Sequence, residues 1–266
     1  MTIPLPQRGA SPRSLAIGID VSARRGLHLA LLADGLALRT VVHLPGAQAV
    51  VTWLALHAPD APVGIDAPLG PRLPLLRDPA TRSAVTPPPP EGRYQSYRVC
   101  DYHLARRGIG LYLSPLAESP APTWMAAGYV LAAALRDSGR HPPRNARDHA
   151  ASLLEVYPYA AFITLLGGIP PRKSTPAGRA ARLRALTAVG LTGIERAESH
   201  DALDAVAAAY TTAIFVAGAG CAVGDPTEGL LALPVAEAAL QDRYRRCAEP
   251  SIGAEPEGCL TFGSIG

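Results

Sequence analysis

The sequence predicts an α/β domain built on a mixed sheet, antiparallel over its first three strands and parallel beyond them, flanked by helices and carrying a long insertion. Three observations support this. Leu15-Ala16-Ile17-Gly18-Ile19-Asp20 is a short apolar run, rich in isoleucine and too short for a buried helix, so it reads as a buried strand closing on a carboxylate. Two further apolar runs, Leu27–Ala33 and Leu36–His43, flank Asp34-Gly35, a strong hairpin signal. Val63-Gly64-Ile65-Asp66 then repeats the opening device after the amphipathic stretch Gly46–Ala58, and a strand reached through a helix normally runs parallel to one already in the sheet. Asp20 and Asp66 are therefore expected side by side at the C-terminal ends of neighbouring strands, where ligands collect in open α/β sheets.

The remaining elements follow in order. Residues 1–14 hold prolines and two arginines but no apolar run of the signal-peptide kind, and read as a loose tail. In the helix at Gly46–Ala58, the side chains of Val50, Val51, Trp53, Leu54 and Leu56 are expected to form the buried face. From about 71 to 150 the pattern loosens into a proline-rich insertion, with a helix near Thr123–Arg136. Here Arg93, Arg98, Arg106 and Arg107 interleave with Tyr94, Tyr97 and Tyr102. Arginines among aromatics suit phosphates and stacked bases; the alternative is a solvated face on which tyrosines pin a long loop.

Leu153–Pro158 reads as a strand, with Pro158 ending it and opening a helix that runs to Leu166. The loop Gly167–Gly178 contains Arg172 and Lys173, the only lysine in the chain. A helix from about Pro176 to Val189 carries Arg179 and Arg182, and the last strong helix spans Ser199–Ala217. Asp201 and Asp204 are three apart there, on one face near the helix start. Leu230–Leu233 is expected as an edge strand, Val235–Cys247 as a short helix and Glu249–Gly266 as a tail. One domain is thus placed at 15–234, followed by a C-terminal helix and tail at 235–266.

Composition narrows the function classes. A net charge of +3 and a pI near 8.8 permit a nucleic-acid partner without requiring one. No stretch approaches the roughly 20 apolar residues of a membrane span. Cys100, Cys221, Cys247 and Cys259 show no C-x-x-C spacing, so neither a zinc site nor a disulfide framework is indicated, and a reducing cytoplasm is expected. Glycine-rich phosphate loops of the kind an actin-like ATPase uses are missing from the sequence. Oligomeric state is not encoded in any local pattern.

Asp20, Asp66, Asp201 and Asp204 form a constellation. Clustered carboxylates repel unless a cation neutralises them, and the usual partner of an all-oxygen site is Mg²⁺ or Mn²⁺. Two such ions suit in-line phosphoryl displacement. Each residue also has a simpler reading: Asp201 and Asp204 complement a helix N-terminus, Asp66 caps a turn, Glu155 pairs with an arginine of the insertion, and His200 starts a helix.

Several motifs in order resemble the domain-of-unknown-function family 429, described as predicted nucleases of the ribonuclease H-like fold. They are Gly18-Ile19-Asp20, Ile65-Asp66-Ala67-Pro68-Leu69-Gly70, Arg98-Val99-Cys100-Asp101, Glu155-Val156-Tyr157-Pro158, Lys173-Ser174-Thr175 with Gly178-Arg179 and Arg182, His200-Asp201-Ala202-Leu203-Asp204-Ala205, and Glu228-Gly229 to Pro234. The similarity runs from about Leu15 to Pro234, and its closing helix is similar to that of Holliday-junction resolvases. It implies a ribonuclease H-like sheet, with Asp20, Asp66 and Asp204 as metal ligands and Asp201 as a fourth acid. Glu155 and Lys173 also fall on family-like positions. The expected activity is metal-dependent phosphodiester hydrolysis of nucleic acid, DNA or RNA. Asp20, Asp66, Asp201, Asp204, Glu155 and Lys173 are the catalytic candidates, and Arg98, Arg106, Arg179, Arg182 and His200 the substrate-binding ones. The alternatives are a phosphohydrolase of nucleotides or small phosphate esters, and a non-catalytic nucleic-acid or protein-binding module with the same fold.

Overall fold

The first three apolar runs form an antiparallel meander: β1 (Ala16–Ser22), β2 (Gly26–Ala33) and β3 (Ala37–Leu44). A computed structural model describes residues 16–22, 24–117, 119–143 and 151–247. The tail expected at 1–14, Leu15, residues 144–150 of the insertion, and the tail at 249–266 with Cys259 lie outside the described residues. At Asp34-Gly35 the chain turns through a short 3₁₀ segment, Asp34–Leu36, with Gly35 at φ 74° supplying the left-handed conformation that glycine adopts readily. Helix α1 (Ala47–His57) then leads to β4 (Val63–Asp66), which pairs parallel with β1. Val50 and Leu54 of α1 are buried, but Leu56 is 73% exposed, so the apolar face is narrower than the sequence suggests.

Beyond β4 come α2 (Pro79–Ala84), α3 (Val99–Arg106) and α4 (Thr123–Asp137), then β5 (Leu153–Val156). They are followed by α5 (Pro158–Leu166), α6 (Pro176–Ala188), α7 (His200–Val216), β6 (Cys221–Asp225) and β7 (Gly229–Leu233). The seven strands lie in the order β3-β2-β1-β4-β5-β7-β6, with β4, β5 and β7 continuing parallel to β1. This mixed sheet flanked by helices is consistent with a ribonuclease H-like arrangement.

Strand alternation sorts β1 onto two cores. Ile17, Ile19 and Val21 pack with Val50 and Leu54 of α1 and Leu131, Ala132 and Leu135 of α4. Helix α4, read from sequence as part of an insertion, thus contributes to the central core. Gly18 and Asp20 face the other way, toward α7. Gly18 and Gly64 are register partners, and so are Asp20 and Asp66.

The glycine pair sets how closely α7 lies on the sheet. A Cβ on Gly18 would meet Ala209 N at 2.0 Å and Ala205 O at 2.2 Å, and one on Gly64 would meet Thr212 Oγ1 at 2.2 Å. Two residues along a strand and one helical turn span similar lengths, roughly 6.6 Å and 5.4 Å. With α7 seated on the glycines, its first turn therefore falls over Asp20 and Asp66. Gly18→Ala should push α7 outward and lower stability by about 3 kcal/mol, as overpacking against backbone does. Urea denaturation checks this against Gly70→Ala, where nothing lies within 4 Å of an added Cβ; equal losses at the two sites would refute it.

Two C-terminal expectations need correction. β7 is not an edge strand: it lies between β5 and β6, and β6 forms the edge through a hairpin turned at Asp225, which accepts from Thr227 N at 2.8 Å. Nor does 235–247 form a helix beyond a 3₁₀ turn at Glu237–Ala239. Its backbone bonds elsewhere, Tyr244 N to Arg107 O at 2.8 Å and Cys247 N to Ile169 O at 3.0 Å, while Ile169 N reaches Arg245 O at 2.7 Å. Those distant partners take the groups a helix would need. No described helix is long and apolar enough to cross a membrane.

Candidate metal centre and cleft

The C-terminal ends of β1 and β4 open onto a cleft of about 1100 Å³. Asp20 and Asp66 lie on its floor, in register on adjacent parallel strands, and Asp201 and Asp204 enter from α7. Ser199 caps that helix by accepting from Ala202 N at 3.0 Å. Its first turn therefore favours negative charge, and Asp201 sits there. Lys173, in the loop between α5 and α6, contacts Asp204 with Nζ 2.6 Å from Oδ2. Arg25, from the β1–β2 turn, holds Asp201 at 2.9 Å and 3.3 Å. His200 Nδ1 lies 2.6 Å from Asp201 Oδ1.

The carboxylates are pushed toward protonation. Asp20 is raised to about 7, first by burial and then by the charges of Asp204 and Asp201, against the pull of Lys173 and Arg25. Asp66 is raised well above the carboxylate range by burial and by Asp20 and Asp204, and it shares a side-chain hydrogen bond with Asp20. Burial also raises Asp204, with Lys173 opposing. For Lys173 burial works against the ammonium, but Asp204, Asp20 and Asp66 outweigh it and its pKa is raised. The donor set fits a hard divalent cation: carboxylates of β1, β4 and α7 line one cleft, Asp20 and Asp66 share a hydrogen bond, and two exposed cations already lean on the α7 acids.

The other sequence candidates divide. Arg182 borders the cleft and positions the Lys173 loop, donating through Nη1 to Pro171 O at 3.1 Å and Gly178 O at 2.9 Å. Glu155 does not join the carboxylates. Its register partner Ile65 faces the α1–α4 core, so Glu155 faces that side too. There it accepts from Arg98 Nη1 and Nη2 at 2.8 Å and 2.6 Å, and from Leu69 N at 3.3 Å. The simpler reading of Glu155, as partner to an insertion arginine, describes its contacts.

Arg98 is correspondingly interior, 3% exposed, and also bound to Asp101. Arg106 ends α3 and Arg179 donates to Ala197 O at 3.2 Å; neither borders the cleft. The insertion tyrosines pack on one another, Tyr94 against Tyr97 and Tyr102 with ring centroids 5.0 Å apart, and Tyr102 Oη donates to Pro87 O at 2.9 Å. They pin the loop. The aromatics that do reach the cleft are Tyr112, Trp124, Tyr157 and Tyr159, joined by Arg25, Arg172 and Arg246.

Sequence reasoning also missed His28. It is the register partner of Asp20, and one ring nitrogen lies within 4.8 Å of carboxylate oxygens of both Asp20 and Asp201. Burial lowers its pKa, which favours the neutral imidazole. The short turn joining β1 and β2, closed by the Ser22–Gly26 pair, was the available signal, because it fixes which residue lies across from Asp20.

Comparison with curated proteins gave no match, and comparison with solved structures gave none either. A family model described as "Protein of unknown function (DUF429)" matches residues 18–228, a span that begins at the glycine seating α7 and takes in Asp20, Asp66, Asp201 and Asp204. On that match over most of its length, the chain belongs to the DUF429 family.

Proposed function

We propose that this protein is a divalent-metal-dependent phosphodiester hydrolase acting on nucleic acid. One observation carries the reading: Asp20 and Asp66, on two registered strand ends, and Asp204, on a helix start, line one open cleft. Mg²⁺ or Mn²⁺ bound there would neutralise the carboxylates, acidify a water and stabilise charge on the oxygens of an in-line displacement. The chain supplies the positioning. Asp20 and Asp66 are fixed by strand pairing, and Asp204 by the seating of α7 on Gly18 and Gly64. Lys173, whose side chain is 46% exposed, is long enough to exchange Asp204 for a substrate phosphate. Arg25, Arg172 and Arg246 offer further phosphate contacts, while Tyr112 and Trp124, 5.8 Å apart and edge-on, offer a base a stacking surface.

A second reading, hydrolysis of nucleotides or small phosphate esters, is favoured by the aromatic wall and by a cleft volume close to that of ordinary small-molecule sites. A panel of single-stranded, double-stranded and branched DNA, RNA and free nucleotides, incubated with Mn²⁺ or Mg²⁺, separates the two by preferred substrate. Asp204→Asn should remove at least about a hundredfold of any turnover, equivalent to about 3 kcal/mol of transition-state stabilisation. If no substrate is turned over and neither ion raises the melting temperature, the enzymatic reading fails and a binding module with this fold takes its place.

A further inference from the structure

The geometry points to His28 as a nitrogen ligand of a second cation position, formed with Asp20 and Asp201, which takes a divalent transition ion such as Mn²⁺ or Zn²⁺ in preference to Mg²⁺. This deepens the proposed function, with which it shares Asp20.

Two independent observations support it. One is placement: β1–β2 pairing sets His28 directly across from Asp20, and the ligand atoms of His28, Asp20 and Asp201 all lie within 4.8 Å of one another. Small side-chain rotations would let one ion reach all three. The other is an unmet bond. His28 is partly buried, and its Nδ1 is shielded from solvent with no hydrogen-bond partner among the described residues, a condition that calls for a ligand. His43 packs against the ring, centroids 5.0 Å apart, and itself hydrogen-bonds with the Arg25 carbonyl.

Asp201 is engaged by Arg25 and His200. The Arg25 side chain is 59% exposed and free to swing into the cleft, so a cation can replace it on Asp201. The two positions then differ in chemistry. Asp66 and Asp204 with Asp20 offer only oxygen, which suits Mg²⁺ and Mn²⁺ alike, whereas an imidazole beside two carboxylates selects for transition ions.

The test uses the full-length, metal-stripped protein loaded with Mn²⁺ and read by pulsed electron paramagnetic resonance, which detects ¹⁴N coupled to the bound ion. Coupling to one imidazole nitrogen is expected in the wild type and in His200→Gln. In His28→Gln it should be lost, with Mn²⁺ affinity at that position at least about tenfold weaker. Zn²⁺ should remove the coupled signal at concentrations where Mg²⁺ does not. Bound Mn²⁺ without nitrogen coupling, coupling that survives in His28→Gln, or coupling lost in His200→Gln would each overturn the assignment, as would a wild type that binds no Mn²⁺. Nitrogen-coupled Mn²⁺ in a protein that hydrolyses nothing would retire the hydrolase reading alone. Hydrolysis supported by uncoupled Mn²⁺ would retire only the His28 site.

Discussion

Asp20→Asn should abolish metal-dependent hydrolysis and, in the same protein, raise the stability of the metal-free form above neutral pH. The first effect follows from position: Asp20 lies between Asp66 on the neighbouring strand and the two acids of α7. Losing this shared ligand should remove several kcal/mol of charge stabilisation, a rate loss of about a thousandfold or more. The second follows from linkage. Burial and the charges of Asp204 and Asp201 raise Asp20 from an unfolded value of 3.8 to about 7. A carboxyl raised on folding contributes stability that is fully present below its unfolded pKa and is lost as pH rises through its folded pKa. Between about pH 4 and pH 8 the metal-free wild type should therefore lose on the order of 4 kcal/mol through this one group. Asparagine cannot ionise and escapes that loss.

Thermal melts in a chelator should show Asp20→Asn close to wild type at pH 4.5 and higher by on the order of 10 °C at pH 8. Saturating Mn²⁺ should narrow the gap by stabilising only the wild type strongly. A gap of the same size at both pH values would mean that burial of Asp20 does not impose the strain inferred for it. Functional sites commonly hold groups whose isolated energetics are unfavourable.

Arg98→Ala should cost about 3–5 kcal/mol while leaving the stabilisation by Mn²⁺ intact. The guanidinium is buried with two carboxylates, Asp101 and Glu155, each no more than 3% exposed. It reaches Asp101 through Nε at 3.2 Å and Nη2 at 3.0 Å, and Glu155 through both Nη atoms. Without it two buried acids lose their counter-charge, and α3 loses its tie to β5. Arg98→Lys should recover little, since an ammonium cannot match a fork that engages two carboxylates at once. Urea melts with and without Mn²⁺ decide the matter. If the variant instead lost its response to Mn²⁺, the Arg98–Glu155 pair would be supporting the cation site through the Leu69 backbone, which donates to Glu155.

Some of the site was legible in the chain. The runs closing at Asp20 and Asp66 announce strands by local composition, and the device joining them, a helix between parallel strands, fixes their common edge. Asp201 and Asp204 are legible for the same reason, because three residues on a helix return to one face. Glu155 was not. It interrupts an apolar run at a strand, yet pairing sets it opposite Ile65 and so on the other face of the sheet from Asp66. His28 could be found only by counting across the β1–β2 turn from Asp20, and the segment 235–247 read as a helix because its backbone partners lie far away in sequence.

The sequence by itself determined the strands from β1 to β5, the principal helices and the placing of four aspartates toward one edge, since each depends on a period of two or of about 3.6 within a few residues, whereas β6 was not read from it. Only the tertiary structure decided which acids share a face, which arginines are buried and how deeply α7 sits. Side chains in a strand alternate with every residue, so a shift of one position in pairing exchanges the two faces, and that register is set by contacts between segments far apart in the chain.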